Sequence, residues 1–325
     1  MPPTTALTVP RHGASDVLTT TTIDVPAPGP GQAQVEVAAA GVNFIDVYQR
    51  QGVYPIPVPF TLGLEGAGVV VAVGEGAEVA VGDRVAWAMQ PGSAAGLANI
   101  AAAQLVPVPG GLALSVAAAA MLQGMTAHYL VNSTYTVQPG DVALVHAAAG
   151  GVGQLLVQLI TAKGGHVIAT AGSPEKLEIA RRLGAETLIN YRTEPDLAGA
   201  VRRATGGAGV HVAYDGVGKD TFDASLASLR PRGMLALFGG ASGQVPPFDI
   251  QRLNAAGSAF LTRPSLAAYL QSRDELLWRA GEILAALADG SVELEIGGRW
   301  PLAEAATAYD ALEARRTTGK LLLIP

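Results

Sequence analysis

Cysteine is absent from this 325-residue sequence, which also contains only five histidines. Without thiols the chain cannot form disulfide bonds or bind a metal ion through thiolates. No motif makes a proton donor of any of the histidines, which are His12, His128, His146, His166 and His211. We expect His146, at the end of an apolar strand, to be structural.

Charged residues are also scarce. They make up 15% of the chain, and the net charge is −6 with a pI near 5.4. A general nucleic-acid-binding protein needs clustered lysine and arginine to neutralise phosphates. The richest local spots are three arginine pairs typical of exposed helix faces, Arg181-Arg182, Arg202-Arg203 and Arg315-Arg316. We therefore expect no nucleic acid among the partners.

A long stretch without charge, between Arg84 and Asp141, raises the question of a membrane segment. Proline and glycine interrupt it repeatedly, and its longest helical piece runs from about Leu114 to Val131. That piece carries four polar side chains, Ser115, Gln123, Thr126 and His128. These features predict a buried helix of a soluble protein. The N-terminal MPPTTALTVPRHG lacks the apolar run of a secretion signal, so we expect a cytoplasmic protein without a membrane anchor.

The composition changes along the chain and indicates two kinds of domain. In the first part, short alternating runs such as residues 32–42 and 65–87 predict an antiparallel, barrel-like β domain. In the second part, apolar strands alternate with helices of about 10 to 15 residues, which is the pattern of a doubly wound parallel sheet. The expected domain limits are 1–122, 123–263 and 264–325.

The segment HAAAGGVGQL, from His146 to Leu155, resembles a dinucleotide-binding turn between a strand and a helix. Gly150 would let the backbone approach a pyrophosphate, and Gly153 would let the helix pack closely against its strand. Ala148 occupies the place of the first glycine, which is tolerable if its φ stays negative. The start of the helix would then offer N–H groups to phosphates. The alternative is a tight packing turn that binds nothing.

The next strand indicates which nucleotide this turn would hold. NAD-dependent enzymes place an acidic residue about 20 residues after the turn, where it binds the ribose 2′-hydroxyl. Here that position falls in residues 170–173, which read Thr-Ala-Gly-Ser, and Lys176 and Tyr191 follow. An open loop with a lysine and a tyrosine suits a 2′-phosphate, so NADPH is the predicted cofactor. Alternatively, Lys176 is a solvated helix residue beside Glu175.

A set of short segments, taken in order, extends over essentially the whole chain. They are GVNFIDVYQRQGVYP (41–55), GLEGAGVVVAVG (63–74), VGDRVAW (81–87), LQGMTAHYL (122–130), HAAAGGVGQL (146–155), INYR (189–192), YDGVG (214–218), TRPSL (262–266) and GKLLLIP (319–325). With them the chain resembles the zinc-free NADPH:quinone oxidoreductase, or zeta-crystallin-like, branch of the medium-chain dehydrogenase/reductase superfamily. The resemblance implies an α/β fold: a GroES-like, mostly antiparallel β catalytic domain plus a Rossmann domain with a doubly wound parallel sheet, inserted before the C-terminal segment.

The resemblance also bears on metal and substrate. Zinc-dependent relatives have a GHE motif whose histidine binds the catalytic zinc, and this chain has Gly63-Leu64-Glu65 instead. Leucine cannot bind a metal and no cysteine is present, so we expect no catalytic metal. Without a Lewis acid, the acceptor must take hydride unaided. A quinone does so because it becomes an aromatic hydroquinone, and conjugated enones or enals are the next candidates.

Residue roles are implied by the same resemblance. Asn43 and Tyr48 are the expected catalytic pair, with Asn43 donating a hydrogen bond; the alternatives are a capped turn and an ordinary half-buried tyrosine. Asp46 is expected to be structural, and Tyr54 either lines the cleft or packs on its own loop. The implied cofactor contacts are Asn43, Thr126, Ala149, Gly150, Gly151, Val152, Gly153, Gly172, Ser173, Lys176, Tyr191, Phe238, Gly239, Ser242, Leu261, Thr262 and Lys320.

Some of these contacts have plainer alternatives. Thr126 could be a core threonine, Phe238 the apolar end of a strand, and Lys320 a surface residue. Ala241 stands where the family often has a serine, which removes one expected hydrogen bond, while Ser242 keeps another. The proton for the reduced oxygen is expected from water or a tyrosine hydroxyl.

The leading interpretation is an NADPH-dependent quinone oxidoreductase that reduces a small-molecule quinone without a metal. The alternatives are an NADPH-dependent alkenal or enone double-bond reductase, and a low-turnover NADPH-binding protein like some crystallins. The habit of the family implies a homodimer or homotetramer joined edge to edge through the parallel sheets. SAFLTR (258–263) is the predicted edge strand.

Overall fold

Residues 3–325 are described by the computed structural model, and the chain divides into two units. One unit runs to Met125 and resumes over Leu270–Pro325, and the other is Thr126–Tyr269. The C-terminal residues therefore belong to the unit that the N-terminal part of the chain begins.

Sixteen strands lie in residues 3–325, and many are rich in valine or threonine, whose branched side chains suit a pleated sheet. In chain order they are β1 (Pro3–Val9), β2 (Thr19–Asp24), β3 (Gln32–Val42), β4 (Phe60–Thr61), β5 (Glu65–Val73), β6 (Arg84–Ala88), β7 (Leu97–Ala101), β8 (Val106–Pro107), β9 (Val142–Val145), β10 (His166–Ala171), β11 (Thr187–Asn190), β12 (Val210–Asp215), β13 (Leu229–Leu237), β14 (Phe260–Thr262), β15 (Ile296–Pro301) and β16 (Lys320–Ile324).

The helices begin and end at ordinary signals. Ser173 caps one of them by accepting a hydrogen bond from the Lys176 N–H, with proline at the first helical position, and Gly290 ends another in the left-handed conformation. They are α1 (Phe44–Arg50), α2 (Leu114–Tyr129), α3 (Gly151–Ala162), α4 (Pro174–Arg182), α5 (Leu197–Ala204), α6 (Phe222–Ala227), α7 (Gln251–Ala255), α8 (Arg273–Asp289) and α9 (Ala305–Glu313).

Antiparallel strands form the first unit. A seven-stranded sheet has the order β15-β16-β3-β5-β6-β8, with β7 also paired to β3, and a three-stranded sheet has the order β2-β1-β4. Every pairing is antiparallel except that of β15 with β16. Alternate side chains of β3, β5 and β6 bury Val35, Val70 and Trp87 in one core. The predicted mostly antiparallel domain is confirmed.

A six-stranded sheet with parallel neighbours throughout forms the second unit. Its order is β11-β10-β9-β12-β13-β14. The chain winds outward in one direction from β9 and then in the other from β12, which is the doubly wound Rossmann order. Ligands of such sheets bind beyond the carboxyl ends of the strands at this change of direction. The turn after β9 lies there, and the predicted fold is confirmed.

Two segments bear on earlier expectations. The predicted strand SAFLTR contains β14, which is the edge strand of the parallel sheet and exposes 57% of Phe260. The predicted helix from Leu114 is confirmed as α2, and a π-helical turn extends it to Thr134. Within residues 3–325 only Leu114–Thr134 is long and apolar enough to cross a membrane, and 72% of its apolar window is buried, as in a core helix.

Candidate functional site

The glycine-rich turn joins β9 to α3 in the second unit. Ala147 adopts a φ of 49°, and it is the residue in the left-handed conformation, whereas Ala148 is fully buried and has no positive φ. The Gly150 N–H donates to the Ala147 carbonyl at 2.8 Å and closes the turn. No side chain caps α3, whose N-cap residue is Gly150, so its first backbone N–H groups remain for a ligand.

Gly153 allows α3 to lie directly against this turn. A Cβ atom at residue 153 would fall 2.3 Å from the Ala147 carbonyl oxygen and 2.8 Å from the Cα of Ala148. Any side chain there would push the helix away. The predicted reason for glycine at this position is therefore confirmed, and the expectation that alanine is tolerable at residue 148 holds as well.

Five residues gather where β10 and β11 end. A Cβ on Gly172 would lie 2.5 Å from Tyr191 Oη and 3.2 Å from Arg192 Nε, so these side chains close over the glycine. Ser173 and Lys176 begin α4 beside them. Burial, and then the neighbouring Arg192 charge, lower the pKa of Lys176. The exposed Glu175 carboxylate accepts a hydrogen bond from the Ser173 hydroxyl, which lowers the pKa of Glu175. The two cations and the Tyr191 hydroxyl are then the groups that fit a phosphate rather than a bare ribose.

Arg192 was missed in the sequence analysis although the INYR segment contains it. Its position immediately after Tyr191 was the available signal. The spacing of the residues alone does not show that the chain after Tyr191 turns back over Gly172.

A buried polar network joins the side chains of Thr170, His146, Ser225 and Asp215 in the second unit. The Ser225 hydroxyl donates to Asp215 Oδ2 at 2.7 Å, so His146 Nε2 must be the donor to Ser225 Oγ at 2.9 Å. His146 Nδ1 then accepts from the Thr170 hydroxyl at 2.9 Å. Burial lowers the pKa of His146, which favours this neutral tautomer. The expected structural role of His146 is thus supported.

Asp215 also fixes the loop that follows β12. Its Oδ1 accepts from the backbone N–H groups of Val217 at 2.8 Å and Gly218 at 3.0 Å. The segment after β13 closes on this loop, because the Gly239 Cα lies so near the Gly216 backbone that a Cβ at 239 would be 2.4 Å from its carbonyl oxygen. The structure thus places Gly239 on a loop packed against the end of β12.

The remaining predicted cofactor contacts of this unit belong to other segments of the chain than the glycine-rich turn. Phe238 follows β13 and its ring packs on Gly216. The Ser242 hydroxyl donates to the Val217 carbonyl at 2.8 Å and accepts from the Asp220 N–H at 3.0 Å. Thr126 is buried in α2, and Leu261 and Thr262 are half-buried in β14. The Ala241 position makes only a backbone hydrogen bond, to the Gly216 carbonyl.

In the first unit, Asn43 lies between the end of β3 and the start of α1, as its N-cap residue. Its Nδ2 donates to Glu65 Oε2 at 2.8 Å and to the Gly41 carbonyl at 3.3 Å. Its Oδ1 accepts from Lys320 Nζ at 2.7 Å. Both amide hydrogens are therefore engaged within the protein, and the predicted donor role would require one of them to change partner.

Lys320 and Glu65 form an ion pair at 2.5 Å with no exposed side-chain surface. The alternative that Lys320 is a surface residue is wrong. Glu65 Oε1 additionally accepts from the Leu122 N–H at 2.5 Å. Glu65 was missed as a site residue, and its place after Leu64 in the motif that departs from the zinc-binding pattern was the signal.

Asp46 supports Asn43 from the first turn of α1. Its Oδ2 accepts from the Asn43 N–H at 2.8 Å and from the Tyr309 hydroxyl at 3.0 Å, while its Oδ1 is buried without a partner. Burial raises the pKa of Asp46 to about 7, against the lowering effect of these hydrogen bonds and of Lys320. The expected structural role of Asp46 is in keeping with these contacts.

Two tyrosines pack edge to face near α1. The ring centroids of Tyr48 and Tyr54 are 5.3 Å apart at 68°, and the Tyr54 N–H donates to the Tyr48 carbonyl at 3.1 Å. Tyr48 is half-buried, and Tyr54 is 39% exposed. Tyr54 thus packs on Tyr48 and presents part of its ring to solvent. The sequence alone does not show which of the two alternatives for Tyr54, lining the cleft or packing on its own loop, applies.

The described part of the chain, residues 3–325, contains no group of three or more histidine, aspartate or glutamate side chains that could hold a metal ion. At the position of the zinc-binding histidine, Leu64 is buried and apolar.

Comparison with known proteins gives two family matches. Residues 29–139 match the alcohol dehydrogenase GroES-like domain, and residues 151–271 match the zinc-binding dehydrogenase domain. Leu64, at the position of the zinc-binding histidine, lies within the first match, and neither match contains a cysteine.

Curated and solved relatives cover nearly the whole chain. A quinone oxidoreductase of Salmonella typhimurium is 41% identical over 97% of this chain and 98% of its own. A 2-haloacrylate reductase of Burkholderia is 42% identical over 88% of each. The structure of Escherichia coli quinone oxidoreductase complexed with NADPH superposes with a TM-score of 0.96, at 39% identity over 99% of this chain and 100% of its own. The chain belongs to the quinone oxidoreductase family of the medium-chain dehydrogenase/reductase superfamily.

Proposed function

We propose that this protein is an NADPH-dependent quinone oxidoreductase. The observation that carries the proposal is the group of Gly172, Ser173, Lys176, Tyr191 and Arg192 beyond the glycine-rich turn. It has the cations and hydroxyls of a 2′-phosphate site, and residues 170–173 contain no carboxylate where NAD-dependent enzymes have one. The full-length similarity to quinone oxidoreductases supports the substrate class.

The second unit would hold the dinucleotide. The backbone of Ala149–Gly153 binds the pyrophosphate, because α3 starts uncapped and Gly153 keeps it against the turn. Lys176, Arg192 and the Tyr191 hydroxyl bind the 2′-phosphate. Bound NADPH supplies a hydride. Further contacts proposed from the family resemblance are Thr126, Phe238, Gly239, Ser242, Leu261 and Thr262.

The first unit would meet the acceptor. Tyr48 and Tyr54 offer aromatic surface on which a planar quinone ring can stack. Asn43 presents its amide, and a tyrosine hydroxyl or water delivers the proton to the reduced oxygen. These roles make Asn43 and Tyr48 the proposed catalytic residues.

The reaction needs no resident metal in this proposal. Zinc would polarise a carbonyl as a Lewis acid, but Leu64 cannot bind it and the sequence has no cysteine. A quinone accepts hydride readily because its product is aromatic. Proximity of donor and acceptor in a dry site is then the main catalytic contribution.

One experiment tests the activity against its rivals. NADPH absorbance is followed with 1,4-benzoquinone, a naphthoquinone, a short alkenal and 2-chloroacrylate. Oxidation with quinones supports the proposal. Oxidation only with the alkenal or the haloacrylate supports a double-bond reductase, a second candidate favoured by the similarity to 2-haloacrylate reductase. NADPH binding without turnover would favour a crystallin-like binding role.

The proposal extends to assembly and location. A homodimer, or a homotetramer built from it, would join two copies through β14, which exposes Phe260 at the edge of the parallel sheet. A cytoplasmic location and the domain limits 1–122, 123–263 and 264–325 remain predictions of the sequence. Cell fractionation would check the location.

A further inference from the structure

The ion pair of Glu65 and Lys320 is fully buried, although its partners lie on different strands of the first unit. Removing two charges from water is unfavourable, and a buried pair is often no more stabilising than apolar residues of the same volume. Stability alone is therefore a poor explanation for placing both charges here. Their contacts with Asn43 give another.

The Asn43 amide lies between the two charges. Its Oδ1 accepts from the Lys320 ammonium at 2.7 Å, and its Nδ2 donates to the Glu65 carboxylate at 2.8 Å. Rotating the amide by half a turn would place N–H groups against the ammonium and oxygen against the carboxylate. The two charges thus select one orientation of a group that is otherwise nearly symmetrical in shape.

The sheet brings these residues together. β3 lies between β16 and β5, with Val42 opposite Leu321 and Ala40 opposite Gly66. The residues next to these pairs, Asn43, Lys320 and Glu65, therefore meet at one end of three adjacent strands.

Gly41 provides the space for the pair. A Cβ at this position would fall 2.1 Å from Glu65 Oε2 and 2.9 Å from Lys320 Cε. Gly41 has no positive φ, so the requirement is for room and not for backbone conformation.

We propose that Glu65 and Lys320 are positioning residues that hold the Asn43 amide in one orientation, and that Lys320 acts through Asn43 rather than on the cofactor. Because both Nδ2 hydrogens are engaged, Asn43 meets a ligand as an acceptor, through Oδ1, where a donor on the ligand competes with Lys320 Nζ and with the Asp46 N–H of the capping box. A ligand group that carries an N–H or O–H donor is the chemistry this arrangement recognises. The inference rests on the proposed role of Asn43 in quinone reduction.

The first test removes both charges at once, in Glu65→Gln/Lys320→Met, so that no unpaired charge is buried. We expect a melting temperature near that of the wild type, a kcat with 1,4-benzoquinone at least about 10-fold lower, and a Kd for NADPH within about 3-fold. Arg50→Met/Glu313→Gln is the matched control, since it neutralises another ion pair of the same unit that does not touch the Asn43 side chain. A wild-type kcat in the Glu65→Gln/Lys320→Met double variant, the neutral pair, would show that Glu65 and Lys320 have only a structural role. A 10-fold weaker Kd for NADPH would mean that Lys320 contacts the cofactor, and either result overturns the inference.

The second test asks whether the pair acts through Asn43. If it does, adding Asn43→Ala to the neutral pair gives the same kcat as Asn43→Ala alone. Losses that multiply would show independent action and overturn the inference. Wild-type kcat in Asn43→Ala alone would instead refute the role of Asn43 in the proposed function.

Two further measurements complement these tests: the first does not depend on turnover, and the second does not remove a charge. In ¹⁵N NMR spectra of the wild type, the two side-chain amide protons of Asn43 should give separate signals and exchange slowly with water. In the neutral pair the two signals should be averaged or should exchange quickly. Unchanged signals would contradict the proposal. Gly41→Ala should displace the pair and lower kcat to a similar extent, whereas Gly281→Ala, with no atom near its added methyl group, should not. Wild-type kcat in Gly41→Ala would also count against it.

Discussion

At the scale of single residues, Lys176 and Arg192 bring two cations to the ends of β10 and β11, and they repel each other there. A 2′-phosphate would offset that repulsion through charge-assisted hydrogen bonds of about 1.5–3 kcal/mol each. We predict that Lys176→Ala and Arg192→Ala each raise the KM for NADPH by roughly 10- to 100-fold and leave the KM for NADH nearly unchanged.

Steady-state kinetics with both cofactors measure this difference. Arg182→Ala, at the exposed end of the same helix as Lys176, is the matched control and should change neither KM. Equal losses with NADPH and NADH would refute the 2′-phosphate assignment.

The buried carboxyl of Asp46 predicts a pH dependence of stability. Its pKa of about 7 lies above the ordinary value of 3.8. Between about pH 4 and pH 7 the carboxyl group is therefore protonated in the folded state and ionised in the unfolded state. Stability from this group is thus fully present below about pH 4 and is lost as the pH rises to about 7, by an amount on the order of 4 kcal/mol.

Asp46→Asn should flatten that part of the curve, because the amide does not titrate. At acidic pH the variant should be less stable than the wild type by about 1–3 kcal/mol, since the two N–H donors of its amide would be buried where Asp46 Oδ1 has no partner. Urea unfolding at several pH values between 4 and 8 measures the slope. A wild-type slope in Asp46→Asn would show that Asp46 is not the titrating group.

Single residues also show where sequence reasoning stopped. Asn43 was left between a cap and a catalytic role, and the structure shows that it is an N-cap residue and also lies in a buried network. Lys320 was left between a cofactor contact and a surface residue, because lysine is usually exposed. Its partner Glu65 is 255 positions away in the sequence, and no local spacing can indicate such a contact.

At the scale of elements, the contact between the glycine-rich turn and α3 depends on Gly153. A methyl group there would lie 2.3 Å from the Ala147 carbonyl oxygen, so the helix must move. We predict that Gly153→Ala lowers the free energy of unfolding by about 1–3 kcal/mol and weakens NADPH binding by at least about 10-fold.

Urea unfolding and fluorescence titration with NADPH measure the two effects. The control is Gly281→Ala in the exposed middle of α8, which should stabilise by about 0.5–1 kcal/mol because alanine favours a helix. Wild-type NADPH affinity in Gly153→Ala would mean that the turn does not hold the cofactor.

Elements with a clear local signal could be predicted from the sequence. α4 has proline at its first position and a serine cap, and β9 is a short apolar run before glycines. β13 begins at Leu229, although its continuous apolar run starts only at Met234. Arg230 and Arg232 obscure the pattern between these residues, and Arg232 has a positive φ of 60°. α7 was not predicted, since it is five residues long and has no buried face to produce a period.

At the scale of the whole molecule, the fold class followed from two sequence patterns that occupy different parts of the chain. Alternation with a period of two marks the antiparallel unit, and strands separated by helices mark the parallel one. Neither pattern indicates that β16, at the end of the chain, pairs with β3 and so brings Lys320 to Asn43. That return came only from the family resemblance, because strand pairing between distant segments leaves no trace in local composition.

The parallel sheet has an open edge at β14, and Phe260 on that strand exposes 57% of its surface. An exposed edge strand with an aromatic side chain favours pairing with a second copy, which would continue the sheet across a two-fold axis. We predict that the protein sediments as a dimer or a larger even assembly. Phe260→Lys should raise the dimer dissociation constant by roughly 30- to 100-fold, because a lysine charge would be buried in the interface.

Sedimentation equilibrium measures this constant. Val81→Lys is the control, since Val81 is 62% exposed in the other unit and should leave the assembly intact. Unchanged NADPH binding in Phe260→Lys would show that the variant is folded. A dimer that persists in folded Phe260→Lys, or a monomeric wild type, would exclude β14 as the interface.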